Sequence, residues 1–246
     1  MKRNEFLKRG FSSLLGIAAV GPVISACSNA ASIDPADTGV TTPGSTTVTS
    51  GDCTVSPSET EGPFPTRVPA NFVRQDIRDG RTGVPMTMNI SIRNATASCA
   101  ALAGALVDVW HCDKDGYYSE YGGSGMQSVN LQNVDFLRGR QTTNADGLVS
   151  FTTIFPGWYS GRAPHIHVHV YNATGKSLLV TQIAFPYDVA NTVYTTGQTY
   201  GYTKGKQDTL NERDNVFSDG FTAELATVTG TLAAGYALTH SITVRA

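Results

Sequence analysis

The residues richest in chemistry lie on one short run, Arg162-Ala163-Pro164-His165-Ile166-His167-Val168-His169-Val170-Tyr171. Its period is two, so His165, His167 and His169 share one side of an extended strand while Ile166, Val168 and Val170 share the other. The aliphatic side predicts a core face. The imidazole side predicts a metal edge, because two neutral imidazoles two residues apart on a rigid strand can converge on one ion. Two other readings compete with it: a strand whose histidine face is only polar, and a zinc or copper site built from all three histidines. Tyr159, a few residues before His165, and Tyr118, further upstream, are candidate partners. A phenol of ordinary pKa, about 10, needs a hard and highly charged ion to ionise it, so tyrosine ligation selects Fe(III) over zinc.

Strands must hold these groups in place. Met86, Met88, Ile90 and Ile92 alternate with Thr87, Asn89, Ser91 and Arg93, as in a half-buried strand. Residues 105–112 are apolar on both faces apart from Asp108 and His111, which predicts a central strand. It runs into the turn Asp113-Lys114-Asp115-Gly116, directly followed by Tyr117 and Tyr118. Residues 137–143 and 148–154 flank Asn144-Ala145-Asp146-Gly147, a hairpin signal. Residues 155–161 form an irregular loop that carries Trp158 and Tyr159 into the histidine strand. Residues 178–184 predict a partner strand across the turn Ala173-Thr174-Gly175-Lys176, and further strands are expected at 226–230 and 240–244. The segment 187–218 reads as loop, and no segment beyond the N-terminal run shows a long helical stripe. Short strands between turns predict an all-β sandwich or barrel.

The chain has 246 residues with a formal charge of -2, which gives no reason to expect a nucleic-acid partner. Residues 1–26 read as an export signal. Lys2, Arg3, Lys8 and Arg9 precede an apolar run, residues 11–24, that is about a turn short of a comfortable membrane span. The run ends in Ile24-Ser25-Ala26-Cys27, which resembles the bacterial lipobox and predicts a lipid on Cys27 as the sole membrane attachment. The Lys8-Arg9 pair leaves a twin-arginine route open beside the general one. Residues 27–52 are a Ser/Thr/Ala/Gly/Pro tether with too little apolar surface to fold, and the folded domain is 53–246. An exported, lipid-anchored envelope protein would meet an oxidising environment. Cys53 with Cys99 is the preferred disulfide, without the pairings of Cys112 being excluded.

Four motifs then fall in order: Trp110-His111-Cys112-Asp113-Lys114-Asp115-Gly116-Tyr117-Tyr118-Ser119, Phe136-Leu137-Arg138-Gly139, Ile154-Phe155-Pro156-Gly157-Trp158-Tyr159, and Arg162-Ala163-Pro164-His165-Ile166-His167. Together they resemble the intradiol ring-cleavage dioxygenases, over essentially all of 53–246. The likeness is nearer the protocatechuate 3,4-dioxygenase catalytic subunit than the catechol 1,2-dioxygenases, whose helical N-terminal dimerisation segment is not found. The resemblance implies an antiparallel β-sandwich whose long loops carry a non-haem Fe(III) held by Tyr118, Tyr159, His165 and His167. It implies a catechol-type substrate cleaved with O2 between its two hydroxylated carbons to a muconic-type diacid. Tyr159 would be the ligand that leaves, Arg162 would stabilise negative charge developing on the ring, and Gln182 would help position it. His169 is expected to support the site without binding. Arg138 pairs with an acid or binds a carboxylated substrate, and the sequence leaves both open. The oligomeric state is likewise open. The competing reading is a non-catalytic envelope module that binds a phenolic or glycan ligand.

Overall fold

The computed structural model describes residues 53–246. The expected signal, Cys27 and the tether lie outside the described residues. Among the described residues nine strands form two sheets: β1 (Pro85–Asn94), β2 (Ala100–Ala101), β3 (Leu106–Trp110), β4 (Arg138–Thr142), β5 (Leu148–Ile154), β6 (His165–Tyr171), β7 (Ser177–Ala184), β8 (Thr227–Thr231) and β9 (Gly235–Val244). The first sheet runs β2-β1-β9-β8, with β5 also on β1, and the second runs β4-β3-β6-β7. All pairs are antiparallel except β1 with β9, which are parallel.

The two sheets face each other through their alternating apolar residues. Met86, Met88, Ile90 and Ile92 of β1, Val149 and Phe151 of β5, and Leu238 and Ile242 of β9 meet Val107 and Val109 of β3 and Ile166, Val168 and Val170 of β6. All are buried. Each such side chain contributes about 1.5–3 kcal/mol on burial. Truncating Val168 or Ile166 to Ala at the centre would open a cavity costing up to about 2–5 kcal/mol. The core face of β6 is therefore fixed, and period two turns its histidines to the opposite face of the second sheet.

Two expectations need correction. The segment 138–154 is not a hairpin, because β4 pairs with β3 and β5 pairs with β1. The Asn144–Gly147 turn is a corner between sheets. Its composition specifies a reversal but not which neighbours the flanking strands choose. Residues 187–218 contain a helix, α1 (Tyr187–Thr196), which buries Ala190, Val193 and Tyr194 at helical spacing and is stopped at Gly197, whose N–H bonds the Val193 carbonyl. Its Thr and Asn content, poor for helices, hid that stripe. The expected antiparallel sandwich is present, with one parallel pair where β9 returns along the open edge of β1.

Cys53 and Cys99 form the disulfide, closing a sequence separation of 46 residues, a constraint of about 4 kcal/mol on the chain-entropy account. Cys112 is free and buried beside Trp110 and Tyr118.

Candidate metal centre

On the outer face of the second sheet, β6 sits between β3 and β7, so His167 faces Trp110 on one side and Gln182 on the other. The Trp110 and His167 rings stack at 4.9 Å and 2°. His165 Nδ1–H donates to the Ala163 carbonyl at 2.6 Å, which leaves Nε2 of the neutral ring as a bare lone pair. Burial, reinforced by the Arg162 charge, pushes the His165 pKa down to about 3. The same burial, with His165 and Arg162 adding to it, holds His167 well below the usual range. Both rings are neutral near pH 7, the state in which imidazole binds metal.

Two turns bring up the tyrosines, and they pack backbone to backbone. Gly157 N–H donates to the Asp113 carbonyl at 3.0 Å, and a Cβ at Gly157 would collide with that oxygen, so only glycine allows the approach. Below the Tyr159 loop, Tyr194 Oη of α1 donates to the Pro156 carbonyl at 2.9 Å and Tyr202 Oη to the Phe155 carbonyl at 2.5 Å. Above Tyr118, Phe64 stacks at 4.8 Å. The same segment lays Gly62 against His167, where a Cβ would stand 3.0 Å from the ring.

The result is a convergence on one atom. His165 Nε2 has His167 Nε2 at 3.1 Å, Tyr118 Oη at 3.3 Å, and both Tyr159 Oη and Arg162 Nη1 at 3.5 Å. A single lone pair satisfies one donor, so hydrogen bonding does not account for four neighbours. Adjacent ligands of one small ion, with bonds of about 2.0–2.1 Å, stand roughly 3 Å apart. The four donors fit that spacing. Burial raises the Tyr118 pKa well above 10, and it raises that of Tyr159 with Arg162 opposing. Ionising such phenols takes a strongly charged cation, and the oxygen and imidazole donor set suits iron. The three-histidine zinc or copper arrangement is not formed. His169 turns to Ser177 Oγ at 2.8 Å, Tyr171 Oη at 2.8 Å and Glu61 at 3.0 Å. Among the described residues, no three His, Cys, Asp or Glu side chains are arranged to hold a metal.

Arg162 and Gln182, both expected at the site, are there and touch: Arg162 Nη2 donates to Gln182 Oε1 at 2.6 Å, and Gln182 Nε2 to the Thr60 carbonyl at 2.9 Å. Arg138 is a strut. It is 1 % exposed and bonds Ser119, the Phe64 carbonyl, Thr66 and Glu120, so its donors are committed to the protein.

Sequence reasoning missed two supports. Gln127 pairs with the backbone of Tyr118 like a strand neighbour, accepting its N–H at 2.7 Å and donating to its carbonyl at 2.8 Å. Asp214 grips Arg162 from 52 residues away. Neither carries a local signal, because each acts across a loop.

The chain belongs to the intradiol ring-cleavage dioxygenase family: the family model described as "Dioxygenase" matches residues 61–196, which hold all six expected site residues. More particularly, it is 30% identical over 131 residues to chlorocatechol 1,2-dioxygenase of Rhodococcus opacus, a match covering 46% of this chain and 48% of that one. It thus aligns with about half the length of that relative. Among solved structures, an intradiol ring-cleavage dioxygenase from Tetranychus urticae superposes with a TM-score of 0.68 at 25% identity, covering 78% of this chain and 95% of that one. The dioxygenase domain of a dioxygenase–carbohydrate-binding protein fusion from Streptomyces sp. SirexAA-E gives 0.54 at 27%, covering 78% and 99%. The Rhodococcus relative is of the catechol type by name. The nearer likeness to the protocatechuate enzyme expected from the sequence gains no specific support.

Proposed function

We propose that the protein is a non-haem Fe(III) intradiol dioxygenase that opens catechol-type rings with O2 to muconic-type diacids. The observation that carries this is the crowding of Tyr118, Tyr159, His165 and His167 around one lone pair, in a chain of the dioxygenase family. The reaction balances without another reductant, since both atoms of O2 enter the diacid. Fe(III), when bound, would supply the Lewis acidity that ionises the phenols and the catechol and the redox partner that lets an aromatic dianion meet O2.

The protein's own residues divide the remaining work. Tyr118, fully buried and clamped, and the two histidines would stay in place. Tyr159, half-buried on its loop, would yield its position to a substrate oxygen and take a substrate proton at Oη. Arg162 Nη1, 3.5 Å from both Tyr159 Oη and His165 Nε2, would stabilise negative charge on the ring, with Gln182 fixing the guanidinium plane. Phe64, stacked on Tyr118, would wall off water.

The test is the absorption spectrum and iron content of the domain 53–246 after reconstitution. Tyrosinate bound to Fe(III) gives a broad visible band that shifts when catechol is added, and O2 uptake should follow. A colourless protein after iron loading sinks the proposal. Export and lipid attachment at Cys27 belong to the same proposal on the strength of residues 1–27, and loss of radiolabelled palmitate incorporation in Cys27→Ala is their check.

A further inference from the structure

Asp214 lies outside the segment matched by the family model and outside every expectation drawn from the sequence. It is 2 % exposed, and its carboxylate accepts four hydrogen bonds from three residues. Arg162 Nε reaches Oδ1 at 2.8 Å and Oδ2 at 2.9 Å, Ala163 N–H reaches Oδ2 at 2.8 Å, and Val216 N–H reaches Oδ1 at 3.0 Å. Gln182 takes Nη2 on the other side. A guanidinium held at Nε and at Nη2 cannot rotate in its plane, so Nη1 is the nitrogen left to face Tyr159 and His165. Asp214 also holds the backbone of Ala163, whose carbonyl fixes the tautomer of His165. One carboxylate therefore sets both the direction of the positive charge and the lone pair it accompanies.

We propose that Asp214 is a positioning residue for ring cleavage: it locks Arg162 so that one nitrogen points at the reacting centre. The inference rests on the dioxygenase reading above. Its structural half also stands without iron, which separates the two in the test. In metal-free protein with 15N-labelled arginine, the Nε–H signal that disappears in Arg162→Lys should exchange slowly with solvent. In Asp214→Asn it should shift and exchange at least tenfold faster. Reconstituted with iron and assayed with catechol under air, Asp214→Asn should keep its iron and hold KM within about threefold while kcat falls at least tenfold. Asp214→Glu keeps the charge but misplaces it by one methylene, and should recover folding fully and kcat only in part. It carries the test alone if the Asn variant fails to fold. An unchanged Nε–H signal, or kcat within twofold of the parent in a folded Asn or Glu variant, overturns the proposal. If the parent protein shows neither visible band nor turnover, the dioxygenase reading fails instead, while the exchange measurement still decides whether Asp214 locks Arg162.

Discussion

The two candidate tyrosines, whose rings meet edge to face at 5.9 Å, approach His165 Nε2 at nearly equal distance, 3.3 Å for Tyr118 and 3.5 Å for Tyr159, yet the protein holds them in different ways. Tyr118 is 0 % exposed, roofed by Phe64, with both backbone polar groups tied to the Gln127 amide. Tyr159 is partly exposed, and while residues 155–157 before it are anchored in the interior, the residues after it are tied at the surface, where Ser160 Oγ donates to Asp208 at 2.7 Å and Gly161 N–H at 3.2 Å. A buried, doubly bonded anchor resists displacement, whereas a surface clamp opens at small cost. Under the proposed function, this difference fits a permanent role for one donor and an exchanging role for the other, although their chemistry is the same.

The strongest way to break this contrast is Tyr118→Phe. It should abolish stable iron retention, with a loss in metal affinity of more than about 100-fold, a larger loss than from removing an outer support, as read by metal content after dialysis. Tyr159→Phe should keep its iron, shift the visible band and lower kcat about 10–100-fold. Equal iron loss in the two variants would erase the distinction. Next come the supports. Gln127→Ala leaves the Tyr118 backbone unpaired and should cost about 1–3 kcal/mol by urea denaturation. Asp208→Asn should cost under about 1 kcal/mol while changing the rate of the spectral shift on catechol binding.

A pH slope on the Tyr118 side probes the same contrast without touching either tyrosine. His111, at the end of β3, is bonded to Thr153 Oγ1 at 2.7 Å and the Cys112 carbonyl at 2.8 Å, and burial pushes its pKa down to about 4. The unfolded chain takes up this proton near 6.5, the folded one only near 4. Stability therefore falls as pH drops through that window and is flat above it. The Tm of metal-free protein should show this decline, and His111→Gln should flatten part of it.

Much of the molecule is legible in its chain. The alternation along β1 and β6 follows from the side-chain period of a strand, and that period by itself puts His165 and His167 on one face. Tyr118 and Tyr159 could be placed near them only through motif resemblance, because the contact between their two turns depends on Gly157 meeting Asp113. The corner at 144–147 misled because a turn sequence reports reversal, while partner choice depends on the whole sandwich. Gln127 and Asp214 stayed hidden for a similar reason. A polar side chain in a Gly/Ser/Asn-rich loop looks solvated until the fold shows which backbone it completes.

The parallel pairing of β1 with β9 bears on how the chain acquires its shape. β1 lies in the middle of its sheet, yet one of its edges is covered by a strand that leaves the ribosome 150 residues later, as in Met86 beside Tyr236. Until then Met86, Met88, Ile90 and Ile92 belong to an incomplete sheet with an open edge, a template for aggregation. The four strands of the second sheet pair with one another without β9, and β6 among them carries His165 and His167. Assembly should thus run from the histidine-bearing sheet to its backing, with a slow last step set by a contact of long sequence separation.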